Sequence, residues 1–261
     1  MSFPNINPNI ATIGPFTIRW YGFMYIISFV IGYFLLKNLY KKRNIKISKS
    51  DFENLFFYIM LGVIIGGRLG YVLFYNLTEC IRNPLEIFAV WHGGMSFHGG
   101  MIASILFGYF FCRKHHYNFY KLADPTVIAA PIGLAFGRFG NFINGELYGR
   151  PTNLPWGMIF PGENLARHPS QLYELFLEGI LLFIILLILS KINLRRGFMF
   201  WSFIFLYGFF RFLVEFVREP DTQLGFLIGF LTMGQILSGL MIIISIIGFI
   251  SIFRKNKKAK I

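Results

Sequence analysis

Apolar residues along this chain run in long blocks and do not alternate or keep to one helical face. The blocks FTIRWYGFMYIISFVIGYFLL (16–36) and LYELFLEGILLFIILLILS (172–190) are two of them. Each supplies the roughly 20 predominantly apolar residues that a helix needs to cross about 30 Å of hydrocarbon. Segments 52–75, 94–112, 124–141, 198–217 and 231–253 read the same way. The pattern predicts an all-α polytopic membrane protein with seven transmembrane helices, folded as a single membrane-embedded domain over 1–261. The connection 142–171 is long and rich in Gly, Pro and Asn, which predicts a polar cap with turns. No inverted internal repeat interrupts this layout, and no low-complexity segment does.

Composition agrees with the pattern: 55% of the residues are hydrophobic, 14% are charged and the mean hydropathy is +0.58. A net charge of +13 would fit nucleic acid if it were spread over one polar face. It is not spread that way. Segments 37–49, 113–121, 191–196 and 254–260 hold 17 of the 25 Lys and Arg residues, while the alternate connections carry Arg82, Arg150 and Arg167. That asymmetry is the positive-inside signature, which puts the N-terminus outside and the C-terminus in the cytoplasm. Membrane lipids are a sufficient partner for the charge, and no nucleic acid is expected. The basic cluster KKRNIKISK follows the first apolar block where a signal peptide would have it in front, so that block is expected to be a retained helix. Cys80 and Cys112 fall near opposite ends of their helices, too far apart for a disulfide.

Against this apolar background, GRFGNFINGELYGR (137–150) stands out. It places Arg138 and Asn141 at the outer end of the fourth span, with Asn144, Glu146 and Arg150 just beyond. An arginine at the bilayer centre costs about 2.5–3.5 kcal/mol on insertion scales, and less near the surface, where it can snorkel. The sixth span reads LYGFFRFLVEFVREPD, and at about 100° per residue its Tyr207, Arg211, Glu215 and Arg218 fall within roughly 80° of arc. A structural ion pair between Arg211 and Glu215 is one reading. It leaves Arg138 and Arg218 in need of anions, with Glu146, Glu174, Glu178 and Glu219 at most in range. The apparent arginine surplus points to an anionic ligand that lives in the membrane, a phospholipid phosphate, because the planar guanidinium suits phosphate.

Other polar residues are candidates on weaker grounds. In WHGGMSFHGG, His98 is flanked by Gly99 and Gly100 and is the side chain suited to moving a proton near neutral pH. A buried, hydrogen-bonded histidine is the alternative, and His92, His115 and His116 have smaller claims. Tyr21 and Tyr25 share a face of the first span beside Arg19 and Trp20, where interface anchoring accounts for them. In HPSQLYE (168–174), Ser170 is expected to cap a helix starting near Leu172, with His168, Gln171, Tyr173 and Glu174 as a second polar wall. Glycines four apart, at 62, 66 and 70 and at 133 and 137, predict close helix contacts. The sequence has no GxxxxGK[ST], HExxH, CxxC or GxSxG motif.

Taken in order, RWYGFMY, SFHGG, GRFGNFINGELYGR, HPSQLYE and LYGFFRFLVEFVREPD resemble the prolipoprotein diacylglyceryl transferases of bacteria, over nearly the whole chain. The resemblance implies transfer of the diacylglyceryl group from phosphatidylglycerol to the lipobox cysteine of a prolipoprotein signal peptide, with release of glycerol phosphate. It implies the bacterial cytoplasmic membrane, with the active site towards the outer leaflet. By analogy the functional positions are Tyr21, His98, Arg138, Asn141, Glu146, Gly149, Tyr207, Arg211 and Glu215. Arg138 and Arg211 would hold the phosphate, Asn141 and Tyr207 would orient the headgroup, and His98 would serve as general base. Tyr21 would position a substrate and Glu146 would steady an arginine or the loop. No cofactor and no metal are expected, since the arginines supply positive charge and the His and Glu spacings form no ligand set. A transporter remains the competing class; it predicts polar residues continuing to the cytoplasmic side, where Arg68 in the second span is the main deep example.

Overall fold

The computed structural model describes residues 1–4, 6–14, 16–89, 94–220 and 225–258. Each of the seven apolar segments is helical: α1 (Trp20–Lys42), α2 (Lys49–Tyr75), α4 (Phe97–Lys114), α5 (Phe119–Ile143), α6 (Ser170–Leu189), α7 (Phe198–Val214) and α8 (Met233–Lys258). A short helix, α3 (Leu77–Arg82), follows α2. Five of these helices, α1, α2, α5, α6 and the Met233–Arg254 part of α8, are long and apolar enough to cross a membrane. Helix α7 is apolar but has 17 residues. Two small antiparallel hairpins depart from the all-α expectation: β1 (Asn9–Ile13) with β2 (Phe16–Arg19), and β3 (Phe226–Ile228) with β4 (Leu231–Thr232). The first hairpin takes residues 16–19 out of the expected first span. Gly14, at φ +59°, makes its turn in a conformation that only glycine adopts without strain.

The chain divides into two compact units, Arg43–Ala123 and Met1–Lys42 with Asp124–Ile261. In the first unit, α2 and α4 pack through small residues. A side chain at Gly62 would meet the Ser104 backbone, and one at Gly70 would meet Gly99. Gly66 would meet Ala103 and the Gly99 carbonyl, so the expected glycine stripe is a real contact seam. Arg68 is 4% exposed and is held mostly by the main chain, with the Glu86 carboxylate 3.9 Å away. It donates to the carbonyls of Ile87 at 3.2 Å and Gly94 at 3.4 Å, and also to that of Glu86. This deep arginine stitches the segment after α3 to α2 and does not extend a polar path. Cys80 and Cys112 are both free, as expected.

In the second unit, the approach of α1 to α5 uses Gly137 and Gly140. Tyr25 lies over the first and Tyr21 over the second, while a side chain at Gly133 would meet nothing within 4 Å among the described residues, so it does not share the contact its spacing predicted. Gly179 on α6 abuts Ala135 on α5, and Gly208 on α7 abuts Ser238 and Met241 on α8. The N-terminus of α7 is capped from another helix: the buried Asp124 carboxylate accepts from Gly197 N at 2.7 Å and Phe200 N at 3.0 Å. These N–H groups have no partner within their own helix. Asp124→Ala is therefore expected to cost about 2 kcal/mol, the upper range for loss of a cap. Thermal unfolding of the purified chain in detergent checks this, and Asp124→Asn should lose less.

Candidate active site

Helices α5, α6 and α7 bring six charged side chains together. Arg138 projects from α5, Glu174 and Glu178 from α6, and Arg211 from α7; Glu215 and Arg218 lie just past the end of α7. The sixth span was expected to stay helical to 217, but the helix ends at Val214. Helical-type bonds from Glu215 N to Arg211 O and from Arg218 N to Val214 O nevertheless keep the predicted face continuous. Glu174 is the hub. Its oxygens lie 2.5 Å from Arg138 Nε, 3.1 Å from Arg211 Nη1 and 2.8 Å from Arg218 Nη1. Glu178 lies 3.5 Å from Arg138 Nη2 and 3.6 Å from Arg211 Nη1, and Glu215 pairs with Arg211 Nη2 at 2.9 Å.

Three guanidiniums thus face three carboxylates, so the arginine surplus read from the sequence is not present in the cluster. Burial explains why. Glu174 and Glu178 are 0% exposed and Glu215 3%, while Arg211 and Arg218 are 8% and 7% exposed. Leaving one charge of such a group unpaired would cost several kcal/mol. The expected Arg211–Glu215 pair forms, and Glu215 is further fixed by Thr232 Oγ1 at 3.0 Å and by contact with Gly234. Tyr207 is 1% exposed and lies in the electrostatic reach of Glu178, Arg211 and Arg138. Tyr21 lies in that of Arg138 and Glu146, and its hydroxyl is 3.2 Å from that of Tyr25.

The 137–150 stretch is anchored by its own polar groups. Asn141 Nδ2 and Asn144 Nδ2 donate to Glu146 Oε1 at 2.9 and 3.1 Å, and Gln171 Nε2 donates to the Glu146 carbonyl at 2.6 Å. Glu146 steadies the loop; its carboxylate hydrogen bonds run to asparagines. Gly149 lies where a side chain would strike the Val217 carbonyl and His168. That approach lets Gly149 N donate to His168 O and Arg150 N to Val217 O, joining the loop to the end of α7. Ser170 does not cap α6, which already begins there; its hydroxyl donates to Leu147 O at 2.9 Å. His168 and Tyr173 face each other at 3.3 Å, with Trp156 donating to Tyr173, so of the expected second polar wall Glu174 alone joins the charged cluster. Burial pushes the His168 imidazole below its ordinary pKa.

His98 sits in the first turn of α4, half-buried, in the Arg43–Ala123 unit, where Ser96 Oγ caps the helix by accepting from Gly99 N. His92 falls outside the described residues. His115 pairs with Asp51 at 3.0 Å in the same unit. Among the described residues, no group of three or more His, Cys, Asp and Glu is placed to hold a metal ion.

A helical, membrane-spanning chain with a buried guanidinium–carboxylate cluster is the class that fold and site define. The sequence profile described as prolipoprotein diacylglyceryl transferase matches residues 8–251. A protein of Geobacter sulfurreducens is 49% identical over 257 residues, covering 98% of this chain and 99% of its own length. One of Desulfotalea psychrophila is 51% identical over 93% of this chain and 92% of its own length. One of Rickettsia rickettsii is 48% identical over 94% and 96%. All three are named phosphatidylglycerol–prolipoprotein diacylglyceryl transferase. The chain belongs to the prolipoprotein diacylglyceryl transferase family.

A second ionic group ties down the 142–171 segment. Glu163 accepts from Tyr148 Oη at 2.6 Å and Arg167 Nε at 2.7 Å, and Arg167 reaches Glu219 at 3.0 Å beyond α7. The Tyr148 hydroxyl first, and then Arg167, hold the Glu163 carboxyl below its usual range. A depressed pKa stabilises the folded state above the ordinary glutamate value of about 4.3, and that contribution is lost as pH falls through the lower folded value. Protection factors of 142–171, taken relative to intrinsic exchange at each pH, should therefore hold down to about pH 5 and fall below about pH 4. In Glu163→Gln, exchange should be faster and lack that acid step.

Proposed function

We propose that this chain transfers the diacylglyceryl group of phosphatidylglycerol to the thiol of the lipobox cysteine in a prolipoprotein signal peptide, releasing glycerol phosphate, the first step of lipoprotein lipidation. The observation that carries the reading is the convergence of Arg138 and Arg211, from separate helices, on the same pair of carboxylates. Family membership adds the reaction: the relatives are named for this transfer. The chain acts as one membrane-embedded domain with seven spans, its N-terminus outside, in the bacterial cytoplasmic membrane. The site opens towards the outer leaflet, beside the lipid donor.

In this mechanism the cysteine sulfur attacks the glyceryl carbon that bears the phosphate. A carbon–sulfur bond forms, the carbon–oxygen bond breaks, and the electron pair leaves with the phosphate oxygen. Arg138 and Arg211 stabilise the charge that gathers there, a role in which a single preorganised donor contributes about 10²–10³ in rate. Little of a thiol with a pKa of about 8.5 is thiolate at neutral pH, so the proton must be taken up. His98 is assigned as its acceptor. Asn141 and Tyr207 orient the headgroup, Tyr21 positions a substrate, Glu215 fixes the Arg211 fork, and Glu146 with Gly149 shapes the loop.

The test is to mix purified chain, phosphatidylglycerol and a lipobox peptide and to detect the diacylglyceryl thioether by mass, with a cysteine-to-serine peptide as control. Arg138→Lys and Arg211→Lys are each expected to lose about 10²–10³ in turnover, and His98→Gln to lose turnover with phosphatidylglycerol binding retained. Absence of product from the wild-type chain would overturn the function. Arginine variants that lose stability but keep turnover per folded molecule would make the cluster a scaffold.

A further inference from the structure

The two carboxylates of α6 that meet Arg138 and Arg211 are bonded very differently. Glu174 keeps a hydrogen bond from Arg218 Nη1 at 2.8 Å, and its other oxygen, without hydrogen-bond geometry, is in close ionic contact with Arg138. Glu178 is equally sealed from solvent, at 0% exposure, yet neither of its oxygens has a hydrogen-bond partner. Its separations of 3.5 and 3.6 Å from the arginine nitrogens exceed the roughly 2.7–2.9 Å of a charge-assisted bond. Arg211 Nη1, which faces both Glu178 and, at 3.1 Å, Glu174, has no partner of hydrogen-bond geometry. Donor and acceptor capacity is therefore unspent on both sides of one narrow gap, in a place where unmet polar groups are costly.

Glu178 also lies in the seven-residue π-helical stretch Leu175–Leu181, within an otherwise α-helical span. Wider turns of this kind are rare and gather at functional sites. Here the stretch changes the angle between Glu174 and Glu178, which a regular helix would stack one above the other at i, i+4. Gly179, pressed against Ala135, locks that part of α6 to the helix carrying Arg138.

We propose that Glu178 is an exchangeable internal anion: it balances Arg138 and Arg211 in the resting chain and yields the N–H groups that face it to the phosphodiester of the lipid donor. This rests on the function proposed above. Glu174, bonded to Arg218, stays in place and keeps the two guanidinium forks in register. Glu178 is then a positioning residue that acts through the arginines. Its return displaces glycerol phosphate, which as a monoester carries more negative charge than the diester that entered. Without the Glu178 charge, donor and product should both bind more tightly and product should leave more slowly.

The experiment measures kcat, KM for phosphatidylglycerol and inhibition by glycerol phosphate for full-length wild type and Glu178→Gln in vesicles. Glu178→Gln is expected to lower KM and the glycerol phosphate inhibition constant, each about tenfold, the scale of one hydrogen bond to a charged group, with kcat lowered as well. A merely structural carboxylate would not lower KM, so unchanged or raised KM with active wild type overturns this inference alone. Inactive wild type overturns it together with the function. Should Glu178→Gln not fold, infrared difference spectra of wild type labelled with carboxyl-¹³C glutamate decide. A shifted carboxylate band on adding glycerol phosphate supports the exchange, and a flat spectrum overturns it.

Discussion

One buried carboxylate, Glu174, holds the polar centre of this protein together. Arg138, Arg211 and Arg218 would repel one another at close range in a medium of low dielectric, where unit charges interact far more strongly than in water. Glu174 lies within 3.1 Å of a nitrogen from each. Removing it would leave three cations facing two carboxylates, one of which makes no hydrogen bond. The helices that carry these groups are otherwise mostly apolar, so the ion network, together with the Asp124 cap of α7, sets α5, α6 and α7 in register. Gly179, against Ala135, permits the close approach of α6 to α5, and the charges select one arrangement.

Neutrality changes how the site must work. A bare pair of arginines would bind any phosphate tightly and release it slowly. On the proposed function, a balanced cluster would bind phosphate only by exchange, which lowers affinity but keeps the guanidiniums oriented beforehand. Such preorganisation is what electrostatic catalysis needs, since no reorganisation remains to be done as charge develops. The 142–171 segment forms part of the same design. The Asn141–Glu146 contact holds its start to the end of α5, and the Arg150–Val217 bond and the Arg167–Glu219 pair join it to the residues after α7.

The helical architecture was legible because blocks of about 20 apolar residues have few other uses. The Tyr207, Arg211, Glu215 and Arg218 face was legible because helical period alone aligns it, and the structure keeps it through Arg218 although the helix proper stops at Val214. The role of Glu174 and Glu178 was under-read. Two glutamates four apart in an apolar run were a signal in themselves, since intramembrane acids are costly and usually functional. The π-helical stretch, which sets the angle between them, leaves no mark in residue type. The Arg68 hydrogen bonds were hidden for a different reason: they run to main-chain carbonyls, which every residue possesses. Ser170 resembled a cap but bonds Leu147 O, a partner 23 residues away that local pattern does not reveal.

The hub assignment is tested most directly by Glu174→Gln, which keeps shape and removes charge, with thermal stability and thioether formation measured on the same purified sample. Convergence through Glu174 predicts a lower unfolding temperature together with a loss of turnover of about a hundredfold or more. Unchanged stability with near wild-type turnover would contradict it, and would mean that the three arginines find their positions without a shared carboxylate.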